Sequence, residues 1–393
     1  MEPSDFPGLA LIEVLGPEEA LAFIASGQSS HAKIEQEMSV VLAAAGTERW
    51  PGLSEVLQRW WPRLRDAGAQ RDVETVKRLG GGFLVPEDPQ WPQALQDLQL
   101  GAPIGLWFRG AGLPIPAQGS CIAVVGSRDS TSYGANVASE ITSSLVQRNF
   151  TVVSGGAYGI DAHAHRGALS AAGTRSGAVR AGRGDIPAVN QLPTLAVMAG
   201  GVDRFYPSGN EELLRAVARQ GLIVAEVPPG TNPTRYRFLQ RNRLIAALCA
   251  MTVVVEARWR SGALNTAHHA EQLSRLVGAV PGSVYSANSA GCHRLLKEGA
   301  AVCVSDAADI AELAGGMGEH LVVEPVVEAA LHDGLGTSDL MVLDALPLHV
   351  TTSVEKLCVV AGLGATTILA GLGRLEALGL AERRAGGWKR GVP

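Results

Sequence analysis

The segment Cys121-Ile122-Ala123-Val124-Val125-Gly126-Ser127-Arg128 decides the fold of this 393-residue chain. Its first five residues form a short, continuous apolar run, which predicts a strand buried on both faces. Similar runs follow at Thr151–Val153, Thr194–Met198, Leu222–Ala225, Thr252–Val255 and Val277–Val280. Amphipathic helical patterns such as Ala135–Gln147 and Glu211–Gln220 separate most of them. Because short buried strands that alternate with helices build parallel sheets, we predict an α/β domain with an extended, Rossmann-like, doubly wound parallel sheet.

Patterns on either side of this region predict two further domains. Pro17–Ile24 and Leu53–Leu64 are typical of helices, and proline and acids suit the N-terminus of the first. Near the C-terminus, three helical stretches are followed by two short strands, and Gly362-Leu363-Gly364 separates the last two helices. This order is typical of a winged helix-turn-helix domain. The predicted division is an N-terminal helical domain at 1–78, the Rossmann-like domain at 79–315, a linker at 316–337 and a C-terminal winged-helix domain at 338–393.

One interval, Gly173 to Leu192, interrupts the alternation of strands and helices. It contains four glycines and three arginines and shows little periodicity. We predict an exposed loop there, between a helix and the next strand.

Charge is distributed unevenly along the chain. The formal net charge is −5, and 46% of residues are hydrophobic while 18% are charged, which excludes global disorder. Residues 1–100 hold 8 basic and 15 acidic side chains, whereas residues 231–260 hold six arginines and one acid. The mean charge excludes a protein that coats nucleic acid by bulk charge. The mean charge is compatible with a local basic site.

Cysteine usage and hydropathy indicate the compartment. The five cysteines are scattered and form no Cys-x-x-Cys pair, as expected of buried thiols in a reducing compartment. The acidic N-terminus does not resemble a signal peptide, and the apolar runs are too short to span a membrane. We therefore predict a cytoplasmic protein without membrane insertion.

Polar clusters follow four of the predicted strands, where open α/β sheets bind ligands. Gly126-Ser127-Arg128 follows the first strand, and Ser154-Gly155-Gly156 with Tyr158 follows the second. Glycine lets backbone amides approach an anion closely, and the N-terminus of a following helix favours negative charge. Arg128 can add a charge-assisted contact to a phosphate.

The other two clusters lie in and after the basic segment 231–260. Phe238 precedes Arg241-Asn242-Arg243, and Ser261-Gly262 opens another helix. Arginine can bond phosphate while an aromatic ring stacks on a base, a combination that suits single-stranded nucleic acid. Two residues apart on a helix, Arg241 and Arg243 point about 200° apart, so one of them could be a structural ion-pair partner. Together the clusters predict a site for a polyanion or a phosphorylated ligand.

Motifs for several other chemistries are missing from the sequence. The segment after Val125 lacks Gly-x-Gly-x-x-Gly spacing, and Ser154 and Gly155 stand where a ribose-binding acid is expected. No Walker A motif occurs, and the histidine spacings do not place two imidazoles on one helix face. We expect no cofactor, no metal and no catalytic residue, with Asp161 as a helix cap or a buried carboxylate.

The ordered motifs resemble the DNA-processing protein A (DprA, also called Smf) family from about Phe83 to Ile310. The resemblance rests on Val124-Val125-Gly126-Ser127-Arg128, Val153-Ser154-Gly155-Gly156-Ala157, Gly159-Ile160-Asp161, Tyr206-Pro207, Pro228-Pro229-Gly230, Arg241-Asn242-Arg243-Leu244-Ile245-Ala246 and Ser261-Gly262-Ala263-Leu264. It implies a non-catalytic homodimer that binds single-stranded DNA and loads the recombinase RecA during natural transformation. The DNA-binding residues would then be Gly126, Ser127, Arg128, Ser154, Gly155, Gly156, Tyr158, Phe238, Arg241, Asn242, Arg243, Ser261 and Gly262.

The sequence departs from the family pattern in three places. Tyr158 stands where a basic residue is frequent, Leu239 replaces a proline, and residues 173–192 lengthen a short connection. Two alternatives stay open at this point. One is a nucleotide phosphoribohydrolase of the lysine-decarboxylase-like (LOG) class, although the catalytic glutamate of that class is missing near Ser261. The other is a duplex-DNA or protein adaptor that acts through the winged helix.

Overall fold

A computed structural model of the chain describes residues 2–27, 32–65, 68–111, 114–180, 192–316 and 334–391. The chain divides into two compact units, Met1–Val322 and Val323–Pro393. The predicted domain boundaries at residues 78, 315 and 337 remain predictions. In the described part, the N-terminal helices belong to the same unit as the sheet.

The larger unit is built on one sheet, whose nine strands in the described residues run in the order β1-β2-β6-β5-β4-β3-β7-β8-β9. The strands are β1 Gly81–Leu84, β2 Leu106–Gly110, β3 Cys121–Val125, β4 Thr151–Ser154, β5 Thr194–Met198, β6 Leu222–Ala225, β7 Met251–Val254, β8 Leu276–Ala279 and β9 Val302–Cys303. From β6 to β9 all neighbouring strands are parallel. At the other edge, β2 pairs antiparallel with β6, and β1 pairs antiparallel with β2. The predicted parallel sheet is confirmed, and each of its six predicted strands lies within one residue of its place.

The chain enters the parallel part of the sheet at β3 and builds outward in both directions. It adds β4, β5 and β6 on one side and then returns to place β7, β8 and β9 on the other. The strand order therefore reverses between β3 and β7. At such a point the two adjoining loops diverge to opposite faces, which opens a crevice at the carboxyl ends of the strands.

Helices cover both faces of the sheet. Alternate side chains of β3 enter different cores: Cys121 and Ala123 belong to one apolar cluster, and Ile122 and Val124 belong to another. A strand buried in this way needs an unbroken apolar run, and Cys121–Val125 provides one.

The helices of the larger unit are α1 Phe6–Leu15, α2 Pro17–Ser26, α3 Ala32–Ala44, α4 Leu53–Arg65, α5 Ala69–Arg78, α6 Ser132–Gln147, α7 Ile160–Arg180, α8 Glu211–Gln220, α9 Arg235–Ala247, α10 Gly262–Gln272, α11 Ala290–Lys297 and α12 Ala307–Ala314. The loop predicted from Gly173 is wrong in its first part, because α7 continues to Arg180. Alanine and arginine there are good helix formers, and they outweigh the glycines. Residues 181–191 of that interval lie outside the described part.

The smaller unit contains α13 Thr337–Ala345, α14 Val354–Ala361 and α15 Ala365–Ala377, followed by strands β10 Ala381–Arg384 and β11 Gly387–Arg390. The two strands form an antiparallel hairpin, and the backbone of Thr352 bridges to Trp388. Ile368, Leu372 and Leu375 of α15 are fully buried in the core of this unit.

In the described segments, no single helix is long and apolar enough to cross a bilayer. The pair α14 and α15 reaches that length and composition only together, across a bend of 102°.

Candidate functional site

A groove of about 710 Å³ opens at the point where the strand order reverses. Residues 126–129 line it after β3, and Arg258 with residues 260–263 line it after β7, while the first two turns of α9 form a further wall. Of the residues predicted for the site, the groove brings together Gly126, Ser127, Arg128, Phe238, Arg241, Asn242, Ser261 and Gly262.

Arginine is the prevailing charged residue of the groove. Five arginines line it, namely Arg128, Arg235, Arg241, Arg258 and Arg260, against the two carboxylates of Asp129 and Asp161. Arg128, Arg235 and Arg260 are exposed and make no ion pair with any described residue. Guanidinium groups without a carboxylate partner are suited to bind phosphate.

Phe238 presents an aromatic ring between two of these cations. The guanidinium carbon of Arg128 lies 4.6 Å from the ring centroid, and that of Arg241 lies 5.9 Å away. The ring of Tyr206 lies 6.1 Å from Phe238, with the two planes at 50°. Stacked guanidinium and aromatic groups form a platform of the kind on which a nucleic-acid base can stack.

Arg241 and Asp161 form the buried floor of the groove. Burial lowers the pKa of Arg241 to about 10, and the charge of Asp161 opposes this shift. Burial also raises the pKa of the Asp161 carboxyl, against the opposing charge of Arg241. Arg241 donates to the backbone oxygen of Val197, and its Nε lies 3.3 Å from Oδ1 of Asn242. These contacts hold one guanidinium group in place, still charged at neutral pH.

Arg243 points away from the groove, as the angle between the two arginines allows. Its Nη1 and Nη2 donate to the carboxylate of Glu226 at 2.8 and 2.7 Å, and its Nε donates to the oxygen of Gly101 at 3.0 Å. Arg243 is buried and Glu226 is half-buried, so Arg243 is the structural ion-pair partner, and it is not part of the groove lining.

Four other predicted residues also lie outside the groove lining. The Ser154 side chain is fully buried, and its hydroxyl donates to the oxygen of Val124 at 2.7 Å. Gly155 lies beneath the floor, and Gly156 lines a neighbouring pocket of about 140 Å³. Tyr158 is exposed, and its hydroxyl accepts a hydrogen bond from the amide of Gly209 at 3.3 Å. The sequence places these residues after the correct strand but cannot tell which of them the chain itself covers.

Helix N-termini at this edge fall into two kinds. At α6, Glu256 accepts hydrogen bonds from the amide and hydroxyl of Thr131, at 2.9 and 2.6 Å. At α7, Asp161 lies in the first turn, and the amide of Ile160 donates to the oxygen of Ser127 at 3.1 Å. The protein's own acids therefore occupy these two ends, which the sequence argument had assigned to phosphate.

The other two helix N-termini open into the groove. Thr234 caps α9 and Ser261 caps α10, each through its side-chain oxygen, and both residues line the groove. A Cβ placed on Gly262 would meet no atom within 4 Å, so this backbone is accessible to a ligand. An anion in the groove would meet the positive ends of both helix dipoles.

The amides of two predicted serines are already in use. The amide of Ser127 donates to the oxygen of Glu256 at 2.7 Å, and that of Ser261 donates to the oxygen of Arg258 at 3.0 Å. These two amides are therefore not free to bind a phosphate.

The predicted DNA-binding residues do not include three lining arginines, Arg235, Arg258 and Arg260, of which Arg258 bonds to Asp129 at 2.7 Å. All three belong to the basic segment 231–260, so the signal was present as a charge excess. Arg237 of the same segment bonds to Glu2 at 3.0 and 2.8 Å and is thereby neutralised. Sequence spacing alone does not separate the free arginines from the paired ones. Leu239, which replaces the family's proline, also lines the groove.

The fold and the groove define a doubly wound α/β protein with a cationic, aromatic groove at the carboxyl edge of its parallel sheet. A family model for DNA recombination-mediator protein A matches residues 82–315. The chain therefore belongs to the DNA recombination-mediator protein A family, a family of DNA-processing proteins.

Individual relatives agree with this assignment. A chain of Mycobacterium tuberculosis that carries the name DNA processing protein DprA is 38% identical over 390 residues, which cover 97% of this chain and 89% of that protein. DNA processing protein DprA of Streptococcus pneumoniae is 37% identical over 191 residues, covering 49% and 61% of the two chains. The X-ray structure of the Streptococcus pneumoniae protein superposes with a TM-score of 0.54 at 26% identity, over 75% of this chain and 96% of that chain.

Proposed function

We propose that this protein binds single-stranded DNA in the arginine-lined groove and acts without catalysis as a recombination mediator. The observation that carries the proposal is the arrangement of Arg128, Phe238 and Arg241. Two cations flank one ring at the topological switch point, with further unpaired arginines around them. Such a groove neutralises a backbone and stacks bases without reading an edge pattern, as single-strand binding requires.

The remaining parts of the proposal rest on family membership. The protein would protect incoming DNA, load RecA recombinase onto it during natural transformation, and act as a homodimer in the cytoplasm. The relatives that carry the name DNA processing protein DprA support this role.

The smaller unit supports a second proposal, that it is a winged helix-turn-helix domain. Three helices precede the β10–β11 hairpin, and a single-residue antiparallel bridge joins Thr352 to Trp388 of the hairpin. A role as a duplex adaptor has less support, because Arg374 is the one cation in the sequence of α15 and it bonds to Asp339 at 2.8 and 2.6 Å.

Arg128→Ala tests the groove directly. We expect the affinity for oligo-dT to fall roughly fivefold to tenfold, and the salt dependence to lose about 0.7 from the slope of log K against log salt, because one phosphate contact is lost. Fluorescence anisotropy at several salt concentrations measures both quantities.

Arg148→Ala is the matched control. Arg148 is exposed at the C-terminal end of α6, and this helix begins at the groove edge and runs to the opposite edge of the sheet. Both variants change the net charge of the protein by the same amount, the loss of one positive charge. Equal losses from both would mean that binding follows overall charge, and unchanged affinity in Arg128→Ala would count against the groove as the site.

A further inference from the structure

A second hollow lined by arginines lies between α5, α8 and the end of β2. Its volume is about 250 Å³, and its lining residues are Leu79, Gly80, Arg109, Gly110, Arg215, Ala218 and Arg219. No acidic side chain is among those described residues. Arg219 is exposed and makes no ion pair with the described part of the chain.

Two of these arginines share one aromatic ring. The guanidinium carbons of Arg109 and Arg215 lie 4.8 and 5.5 Å from the ring centroid of Phe205. Partial burial lowers the pKa of Arg109 and the charge of Arg215 lowers it further, while the charge of Asp203 opposes this shift. Glu211 bonds to Arg215, but no carboxylate of the described residues bonds to Arg109. The cluster therefore holds more positive charge than its acids offset, and a bound anion would relieve the repulsion.

Phe205 also connects this hollow to the groove. It lines the small pocket of about 140 Å³, together with Tyr206, Phe238 and the exposed Arg204. Tyr206 and Phe238 line the groove as well. Phe238, Tyr206 and Phe205 thus line one small pocket, and Phe205 in turn contacts Arg109 and Arg215 of the hollow, which gives a strip of rings and arginines between the two sites. We call this strip the side track.

We propose that a single strand leaving the groove follows the side track and places a phosphate in the hollow, against Arg109, Arg215 and Arg219. The inference rests on the proposed function, since it extends the same DNA footprint. Alternating rings and guanidinium groups are the elements that hold single strands without sequence preference, and the hollow supplies the cations for the outgoing backbone.

Arg219→Ala in the full chain tests the side track, with Arg78→Ala as its matched control. Arg78 is exposed in the last turn of α5, next to the hollow but not in its lining. The probes are oligo-dT of about 5 nucleotides, which the groove alone accommodates, and oligo-dT of about 20 nucleotides, which reaches beyond it.

We expect Arg219→Ala to weaken binding of the long probe roughly threefold to tenfold, with a salt slope lower by about 0.7, and to leave the short probe unchanged. Arg78→Ala should change neither. Equal effects on the two probes, or no effect on the long one, would overturn the side track. If the wild type does not bind the short probe, or if Arg128→Ala leaves its binding unchanged, the groove itself is refuted, and the side track with it.

Discussion

Gly155 lies where the two charged side chains of the groove floor meet. A Cβ placed on it would lie 2.4 Å from Nη1 of Arg241 and 2.5 Å from Oδ2 of Asp161. Both distances are shorter than real contacts, so any larger residue must displace one of the two charges. Gly155 leaves space for the side chains of Arg241 and Asp161, whereas the sequence predicted a direct contact between Gly155 and DNA.

Gly155→Ala should therefore destabilise the protein by about 1–3 kcal/mol and weaken oligo-dT binding, because Arg241 loses its position. Gly173→Ala is the control, since its added methyl group meets no atom within 4 Å, helix α7 tolerates alanine, and the residue is not part of the groove lining. Urea unfolding and anisotropy measure the two effects. If the two variants behave alike, the steric argument at Gly155 is incorrect.

Arg241 and Arg243 show how far residue-level prediction reaches. Helix geometry alone predicts that the two arginines face different ways. Which of them faces the groove depends on Glu226, which pairs with Arg243 from the end of a different strand. The sequence shows that Glu226 and Arg243 are present but not that they lie close together in the fold.

At the scale of elements, His165 joins helix α7 to two strands. Its imidazole is fully buried, with Nε2 at 2.7 Å from the oxygen of Gly155 and Nδ1 at 2.7 Å from the hydroxyl of Thr194. Burial lowers the pKa of His165 to about 4. The folded protein therefore holds this imidazole neutral at neutral pH.

This contact predicts a specific acid sensitivity. The unfolded chain binds the proton with a pKa of about 6.5, more strongly than the folded protein, so stability is lost as pH falls from about 6.5 towards 4. The loss over that window should reach about 3 kcal/mol. Urea unfolding across the window measures it, and His165→Gln should remove this part of the pH dependence.

His268→Gln is the comparison for this experiment, because His268 is exposed on α10. Loss of the acid sensitivity in this variant as well would contradict its assignment to His165. A wild-type profile that is flat between pH 6.5 and 4 would contradict a neutral, buried His165.

For the whole molecule, every residue that lines the groove belongs to the unit Met1–Val322. Deletion of residues 323–393 should therefore keep oligo-dT affinity within about twofold, and Arg128→Ala should still weaken binding in the shortened chain. Anisotropy with single-stranded and duplex probes tests this. A large loss of duplex affinity on deletion would favour the adaptor hypothesis for the smaller unit.

The acidic N-terminal region is also part of this larger unit. Glu2 bonds to Arg237, and the hydroxyl of Ser4 donates to Gln240 at 2.5 Å, so the start of the chain is fastened to the groove helix α9. Glu2 thus neutralises one arginine of the basic segment, while Arg128, Arg235 and Arg260 of the groove make no ion pair with a described residue.

Much of the parallel sheet could be predicted, because strands buried on both faces require apolar runs that are visible in the sequence. Helices α1, α3 and α5 and the short strand β9 were not identified, since their patterns are weak and tertiary packing stabilises them. The groove could be predicted as a region, because every parallel strand ends at the same edge. Its individual members could not, since Ser154, Arg237 and Arg243 differ from the lining residues only in their long-range partners.

The sequence by itself determined the parallel sheet, the edge at which its polar clusters meet and the excess of arginine beside that edge. These properties are local, because periodicity and composition depend only on residues that are close together in the sequence. Only the tertiary structure decided which arginines are free, which helix ends the protein's own carboxylates occupy, and that Phe205 links the groove to a second cluster of arginines. These properties depend on contacts between residues distant in sequence, and pairing with a distant acid removes a charge that composition still counts.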